Sequence, residues 1–222
     1  MPTIRFLDGD ADRELLRTLY DTVLAPSFPA SEREPFDKLA RVLDGEELLG
    51  AVALDPAGAP VGALFLEWFA GIRVGMLSYF AVRPDVRGRG IGRALVAAAT
   101  PRWQDSLRPE LIVAEAEDPR VHGGAGGDYG DATARLRMYA GFGARRLPIR
   151  YVLPELMPGE GRLPGLLLLA VTDADAVPGP VVESFLGQYY ARMEGGPARP
   201  GDVQLQELLA SCRQELLKLE DL

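Results

Sequence analysis

Cysteine and histidine are almost missing: the 222 residues hold one of each, Cys212 and His122. An intrachain disulfide is thereby excluded, and the two side chains cannot build a zinc site by themselves. Positive charge is also short. Lysine and arginine number 24 against 32 aspartates and glutamates, which leaves a net charge of −8. The field of such a chain repels polyanions, so no nucleic-acid partner is expected, and it favours a neutral or cationic partner such as an amine. Long apolar runs are absent too. The longest, Leu166 to Val171, has the length of a strand and falls far short of the ~20 residues of a membrane span. The opening residues, M-P-T-I-R-F-L-D, carry no basic segment followed by an apolar one. Together these absences predict a cytoplasmic protein with no membrane partner.

Apolar residues make up 47% of the chain, enough for a proper core. A chain of this length predicts one domain with an extension. Thr3 to Leu7 reads as a first strand, and Leu15, Leu16, Leu19, Tyr20 and Val23 recur at helical spacing. A second helix is predicted from Ser31 to Leu43, with Ser31 as cap and Glu34 as its capping-box partner. Three strands follow: Glu47 to Leu54, Pro60 to Phe69 and Ile72 to Val82. Their short connections, one of them the turn Asp55-Pro56-Ala57-Gly58, imply an antiparallel meander.

The pattern then changes. Arg83-Pro84-Asp85 breaks the strand, and a glycine-rich loop leads to a helix marked by Ile91, Ala94, Leu95 and Ala98, which Pro101 stops or kinks. Leu111 to Glu117 is a further strand, expected parallel to the one before the loop. Pro119 to Asp131 is a glycine-rich loop, Ala132 to Tyr139 a short helix, and Ala144 to Leu153 and Leu163 to Thr172 the final strands. From Pro178 the chain reads as helical. Leu205, Leu209, Cys212, Leu216 and Leu219 form an apolar seam barely two heptads long, which either packs on its own domain or makes a homodimer contact.

The informative stretch is Arg87-Gly88-Arg89-Gly90-Ile91-Gly92-Arg93. Glycines let a backbone approach a ligand closely, and the helix start adds unpaired N–H groups and the positive end of a dipole. Such a site suits a pyrophosphate; the alternative is a turn that closes a helix and binds nothing. A P-loop is excluded because no lysine lies in the stretch. A dinucleotide fingerprint fails as well, since Arg93 stands where the third glycine belongs and a meander precedes the loop.

Arg87-x-x-Gly90-x-Gly92 matches the Q/R-x-x-G-x-G/A signature of the GNAT superfamily of acyl-CoA-dependent N-acyltransferases. The string V-R-P-D-x-R-G-R-G-I-G-R-A-L resembles that family, as does A-R-L-x-x-Y-x-x-F-G-A from Ala134 to Ala144. The resemblance covers about Thr3 to Thr172. It implies an α/β (α+β) fold with a mixed, mostly antiparallel sheet of about seven strands flanked by helices, in a domain spanning 1–175 with a C-terminal helical extension over 176–222. It also implies that acetyl-CoA is the acyl donor, its pyrophosphate held by the stretch Arg87, Gly88, Arg89, Gly90, Ile91, Gly92 and Arg93. Its pantetheine arm would pair with the strand edge at Ala81 and Val82. Tyr139 matches the tyrosine that often protonates the CoA sulfur in that family; it is equally an aromatic packed on a helix face.

Amine acetylation needs an ammonium deprotonated, a thioester carbonyl polarised and a thiolate protonated or stabilised. Glu115 and Glu117 alternate along a strand and point to one face, ~7 Å apart. They are candidates for the general base or for holding a cationic substrate, or they are a solvated strand end. Some family members place a base on the strand before the glycine loop. Here that region reads Met76-Leu77-Ser78-Tyr79, so the role passes to Glu115, Glu117, Tyr79 or a relayed water. His122, Asp128 and Tyr129 sit in a loop long enough for a lid, and Trp68 and Phe69 either line an acceptor pocket or pack in the core. The expected activity is N-acetylation of a small-molecule amine. A non-catalytic acyl-CoA-binding module and a protein N-acetyltransferase are the alternatives.

Overall fold

The computed structural model describes residues 2–45, 47–122, 131–157, 159–197 and 201–222. The chain separates into two compact units, Met1–Trp68 with Gly75–Pro109, and Phe69–Val74 with Glu110–Leu222. Seven strands form a mixed sheet flanked by helices, the fold class expected from the sequence.

In the first unit the elements run β1 (Thr3–Phe6), α1 (Arg13–Leu19), α2 (Phe36–Asp44), β2 (Leu48–Leu54), β3 (Pro60–Phe69), β4 (Val74–Val82) and α3 (Ile91–Leu107). Four strands lie in the order β1-β2-β3-β4. β1 is antiparallel to β2, with Thr3 opposite Leu54, and β2 to β3, with Leu48 opposite Glu67. The β2–β3 pair is the first half of the predicted meander, and β4 lies next to β3 in the sheet. Leu16, Leu19, Val23, Leu24, Leu39 and Leu43 from the helical segments pack on Val52, Ala63, Phe65 and Tyr79 of the strands.

Two helix expectations change here. The second helix does not begin at Ser31. A short 3-10 turn covers Ala30–Glu32, and α2 starts at Phe36, after Pro35. Proline suits the start of a helix and resists its interior, so Pro35 sets the boundary. Glu34 is therefore no capping-box partner: it is buried, and its carboxylate lies 2.6 Å from the Lys38 ammonium. In α3, Pro101 lies inside the helix and does not stop it. An interior proline costs ~3 kcal/mol. The buried stripe Ile91, Leu95, Ala99 and Trp103 straddles it, and each large apolar side chain so buried contributes ~1.5–3 kcal/mol.

The second unit holds β5 (Leu111–Glu117), α4 (Pro119–His122), α5 (Ala132–Ala140), β6 (Ala144–Arg146), β7 (Leu166–Val171), β8 (Ala176–Pro178), α6 (Gly179–Met193), α7 (Val203–Ser211) and β9 (Leu216–Lys218). β7 lies between β5 and β6 and is antiparallel to both. β6 is shorter than the predicted Ala144 to Leu153, because Pro148 follows closely and a proline cannot continue a ladder. Among the described residues, the bridge between Leu153 and Leu163 resumes pairing after Pro148. The C-terminal seam is also revised. α7 ends at Ser211, and Leu216 to Lys218 form a strand antiparallel to β8. Leu217 and Leu219 are buried while Leu216 is 58% exposed, the alternation of a strand and not the stripe of a helix.

Candidate active site

β4 ends at Val82, a 3-10 turn covers Pro84–Val86, and the chain enters α3 through two glycines in the left-handed region, Gly88 (φ 77°) and Gly90 (φ 78°). Gly90 is the residue before the helix and offers no side-chain cap. The first intrahelical bond runs from the Ala94 amide to the Gly90 carbonyl at 3.0 Å, so the amides of Ile91, Gly92 and Arg93 lie outside the helix's own ladder. No acidic residue sits in the first turn to offset the dipole. A β-carbon added at Gly88 or Gly90 would meet nothing within 4 Å; the space beside these backbones is open. Arg87, Arg89 and Arg93 are exposed. The Arg87 Nε donates to the Val82 carbonyl at 3.0 Å, while Arg83 is paired with Asp85 at 2.7 Å. Ala81 is buried and Val82 half-buried.

Behind this loop Tyr79 is buried, and its oxygen accepts from the Glu34 amide at 2.9 Å. Burial above all pushes its ionisation far above the usual phenol range. Tyr79 clamps the segment before α2 and does not act as a base at neutral pH.

In the second unit, β5 carries Glu115 opposite Leu168 and Glu117 opposite Leu166. The two carboxylates reach different partners. Glu117 Oε2 pairs with Arg135 of α5 at 2.8 Å. Glu115 Oε1 accepts a hydrogen bond from the phenol of Tyr151. The sequence reading did not single out Arg135 or Tyr151, and no local spacing ties them to β5.

Tyr139 lies on α5, whose start is capped by Asp131 accepting from the Thr133 and Ala134 amides. Its ring is 5% exposed. Burial pushes its phenol up to about 12, with Arg135 opposing and Glu115 reinforcing. A phenol so placed keeps its proton throughout the neutral range and stands as a hydrogen-bond donor. His122 closes the short helix α4, its side chain outside the described set, and Asp128 and Tyr129 lie outside the described residues. Phe69 is core: it meets Phe185 edge-on with ring centroids 5.3 Å apart.

A cavity of about 410 Å³ in the second unit is bounded by Glu155, Arg162, Tyr190, Glu194 and Asp202. Its charges are paired internally: Arg162 bonds both Glu194, at 2.7 Å, and Asp202, at 2.6 Å. Among the described residues no group of His, Cys, Asp or Glu is arranged to hold a metal ion, and no helix is long and apolar enough to cross a membrane.

Residues 44–143 match the family described as Acetyltransferase (GNAT) domain. That span contains β4, the glycine loop, β5 and α5. Over this span, somewhat under half of the chain, the sequence is similar to the acetyltransferase domains of the GNAT superfamily. No curated protein matches the sequence. Among solved structures it is similar to a GNAT-family protein from Bacteroides thetaiotaomicron, at 21% identity and a TM-score of 0.58, over 77% of this chain and 88% of that one. It is similar to the ribosomal-protein-S18-alanine N-acetyltransferase from Escherichia coli, at 19% identity and a TM-score of 0.53, over 77% and 93%. The spermidine/spermine N-acetyltransferase SpeG from Vibrio cholerae is similar at 18% identity and a TM-score of 0.50, over 76% and 91%. At these identities the likeness concerns the fold.

Proposed function

We propose that this enzyme moves an acetyl group from acetyl-CoA to the primary amine of a small metabolite, in the cytoplasm. The observation that carries the reading is the start of α3, where left-handed Gly88 and Gly90 lead into a first turn free of acidic residues. Such a helix start fits the diphosphate of CoA: the amides from Gly88 to Gly92 donate, the Arg87 amide being taken by the Pro84 carbonyl, and the exposed Arg89 and Arg93 add charge. The strand edge at Ala81 and Val82 is assigned to the pantetheine arm. The thioester supplies an activated acyl carbon.

The amine nitrogen attacks that carbon, the carbon–sulfur bond breaks, and the sulfur takes a proton. Tyr139, held protonated by its burial, donates to the departing sulfur. A thiolate with an ordinary pKa of ~8.5 is less basic than the Tyr139 phenoxide. Complete transfer from Tyr139 alone therefore runs uphill, and the ammonium's proton must reach a base in the same turnover. Of the two carboxylates on β5, Glu115 is the one whose charge acts on the Tyr139 phenol, so we assign the base to Glu115. The net charge of −8 favours a cationic acceptor.

The test is release of free thiol from acetyl-CoA with a panel of polyamines, amino acids and amino sugars beside unstructured peptides. Turnover with a small amine is expected, and Tyr139→Phe should lower kcat by about 100-fold while leaving acetyl-CoA affinity in place. Turnover with peptides alone would make this a protein acetyltransferase. Binding without thiol release from any acceptor would make it a non-catalytic acyl-CoA module.

A further inference from the structure

The phenol of Tyr151 belongs to a segment outside the matched family span, yet it is bonded to Glu115, within that span. We infer that Tyr151 is a positioning residue that holds the Glu115 carboxylate in its working state, and that α6 is the wall that keeps the couple dry. The inference rests on the assignment of Glu115 as the base.

Four observations carry it. Tyr151 is buried, 5% exposed, and its hydroxyl reaches Glu115 Oε1. Its backbone is fixed on the next residue but one, where Leu153 and Leu163 exchange amide–carbonyl bonds of 2.8 and 3.1 Å. The carbonyl of Val152 accepts from the Tyr190 hydroxyl of α6. Tyr190 in turn lies under the Arg162 guanidinium, 4.9 Å from the ring centroid, and Arg162 is clamped by Glu194 and Asp202. A line of contacts thus runs from the start of α7, through α6, to the carboxylate on β5.

The chemistry follows from the donor. A hydroxyl bonded to a carboxylate favours its charged form, the more so out of water. It also fixes the orientation of the carboxyl plane, so the base meets the ammonium in one geometry. Burial and the charge of Glu115 keep Tyr151 from ionising, so it stays a donor at every working pH. The groups that act on the couple are Tyr139 on α5, Tyr189 and Tyr190 on α6, and the Arg135–Glu117 pair beside Tyr139. Burial raises the phenols of Tyr139, Tyr151 and Tyr190, so the acid limb of the pH–rate profile is assigned to the carboxylate.

The experiment compares kcat, KM and pH profiles for the wild-type enzyme, Tyr151→Phe and Glu115→Gln with the best amine acceptor. Glu115→Gln should abolish most turnover. Tyr151→Phe keeps the ring and loses the donor. It should lower kcat about tenfold, leave KM for acetyl-CoA unchanged and move the acid limb up by about one pH unit. Should Tyr151→Phe melt below the assay temperature, Tyr190→Phe, which frees the Val152 carbonyl, must move the limb in the same direction by less. Full activity in Glu115→Gln would remove the base assignment and this inference together. Collapse in Glu115→Gln with an unmoved limb and kcat in Tyr151→Phe would overturn the inference alone and leave the base in place.

Discussion

Gly179 shows how strictly a single backbone position can be dictated. A β-carbon there would stand 2.0 Å from the Gln214 carbonyl oxygen and 2.2 Å from that of Cys212. Both obstacles are main chain, and neither yields by rotating a side chain. Gly179 opens α6, and its amide donates to the Glu215 carbonyl at 3.1 Å. Gly179→Ala should therefore cost about 3 kcal/mol or more, read as a lower denaturant midpoint; Gly187→Ala, where nothing lies within 4 Å, should cost nothing or stabilise the helix. Equal midpoints for the two variants would contradict the packing of the α7–β9 connection against the start of α6. Gly88 and Gly90 are different in kind. They have room for a side chain but not the backbone angles for one, the combination expected where a ligand, not the protein, fills the adjacent space.

At the scale of elements, the strands of the first unit and the glycine loop were legible because their signals are local. Alternating apolar residues, a four-residue turn and glycines before a helix each act within a few positions. The helix boundary at Pro35 was legible in principle: the rule that proline opens helices points to it, and Glu34 stands four residues before its ion-pair partner Lys38, but the Ser31–Glu34 pattern competed. The C-terminal seam misled for another reason. Leu205, Leu209 and Cys212 do follow helical spacing, and Leu216 and Leu219 continue it only numerically. The intervening Arg213 to Glu215 let the chain turn into β9, which pairs with β8 roughly forty positions earlier. Long-range pairing of this sort leaves no periodic trace. The site residues divide in the same way. The loop and Tyr139 carry motif-level signals, whereas Tyr151 reaches Glu115 across 36 positions and Arg135 reaches Glu117 across 18.

At the scale of the molecule, buried acids set the response to alkali. Burial raises the phenols of Tyr79, Tyr139, Tyr151 and Tyr190, and pushes the Cys212 thiol up to about 11. In the unfolded chain the phenols ionise near ~10 and the thiol near ~8.5. Between those values and the folded ones the native state binds more protons, so stability falls as pH rises. The contribution is whole below about pH 8 and is lost progressively above about pH 10, at ~1.4 kcal/mol per pH unit for each fully displaced group. Denaturant midpoints should be flat from about pH 7 to about pH 8 and drop steeply above about pH 10. Most of the phenolate absorbance should appear together with unfolding. Phenolate formation that ran ahead of unfolding would show these rings to be open to water.

The central claim is that backbone amides at the start of α3 grip a diphosphate, and calorimetric titration of the wild-type enzyme and Gly90→Val with acetyl-CoA and with acetyl-pantetheine tests it most directly. Acetyl-pantetheine lacks the diphosphate and the nucleotide. The account predicts micromolar binding of acetyl-CoA by the wild type, a loss of about 100-fold or more in Gly90→Val, and weak binding of acetyl-pantetheine that the substitution leaves unchanged. Equal affinities of the wild type for the two compounds, or a Gly90→Val variant that holds acetyl-CoA as tightly as the wild type, would contradict it.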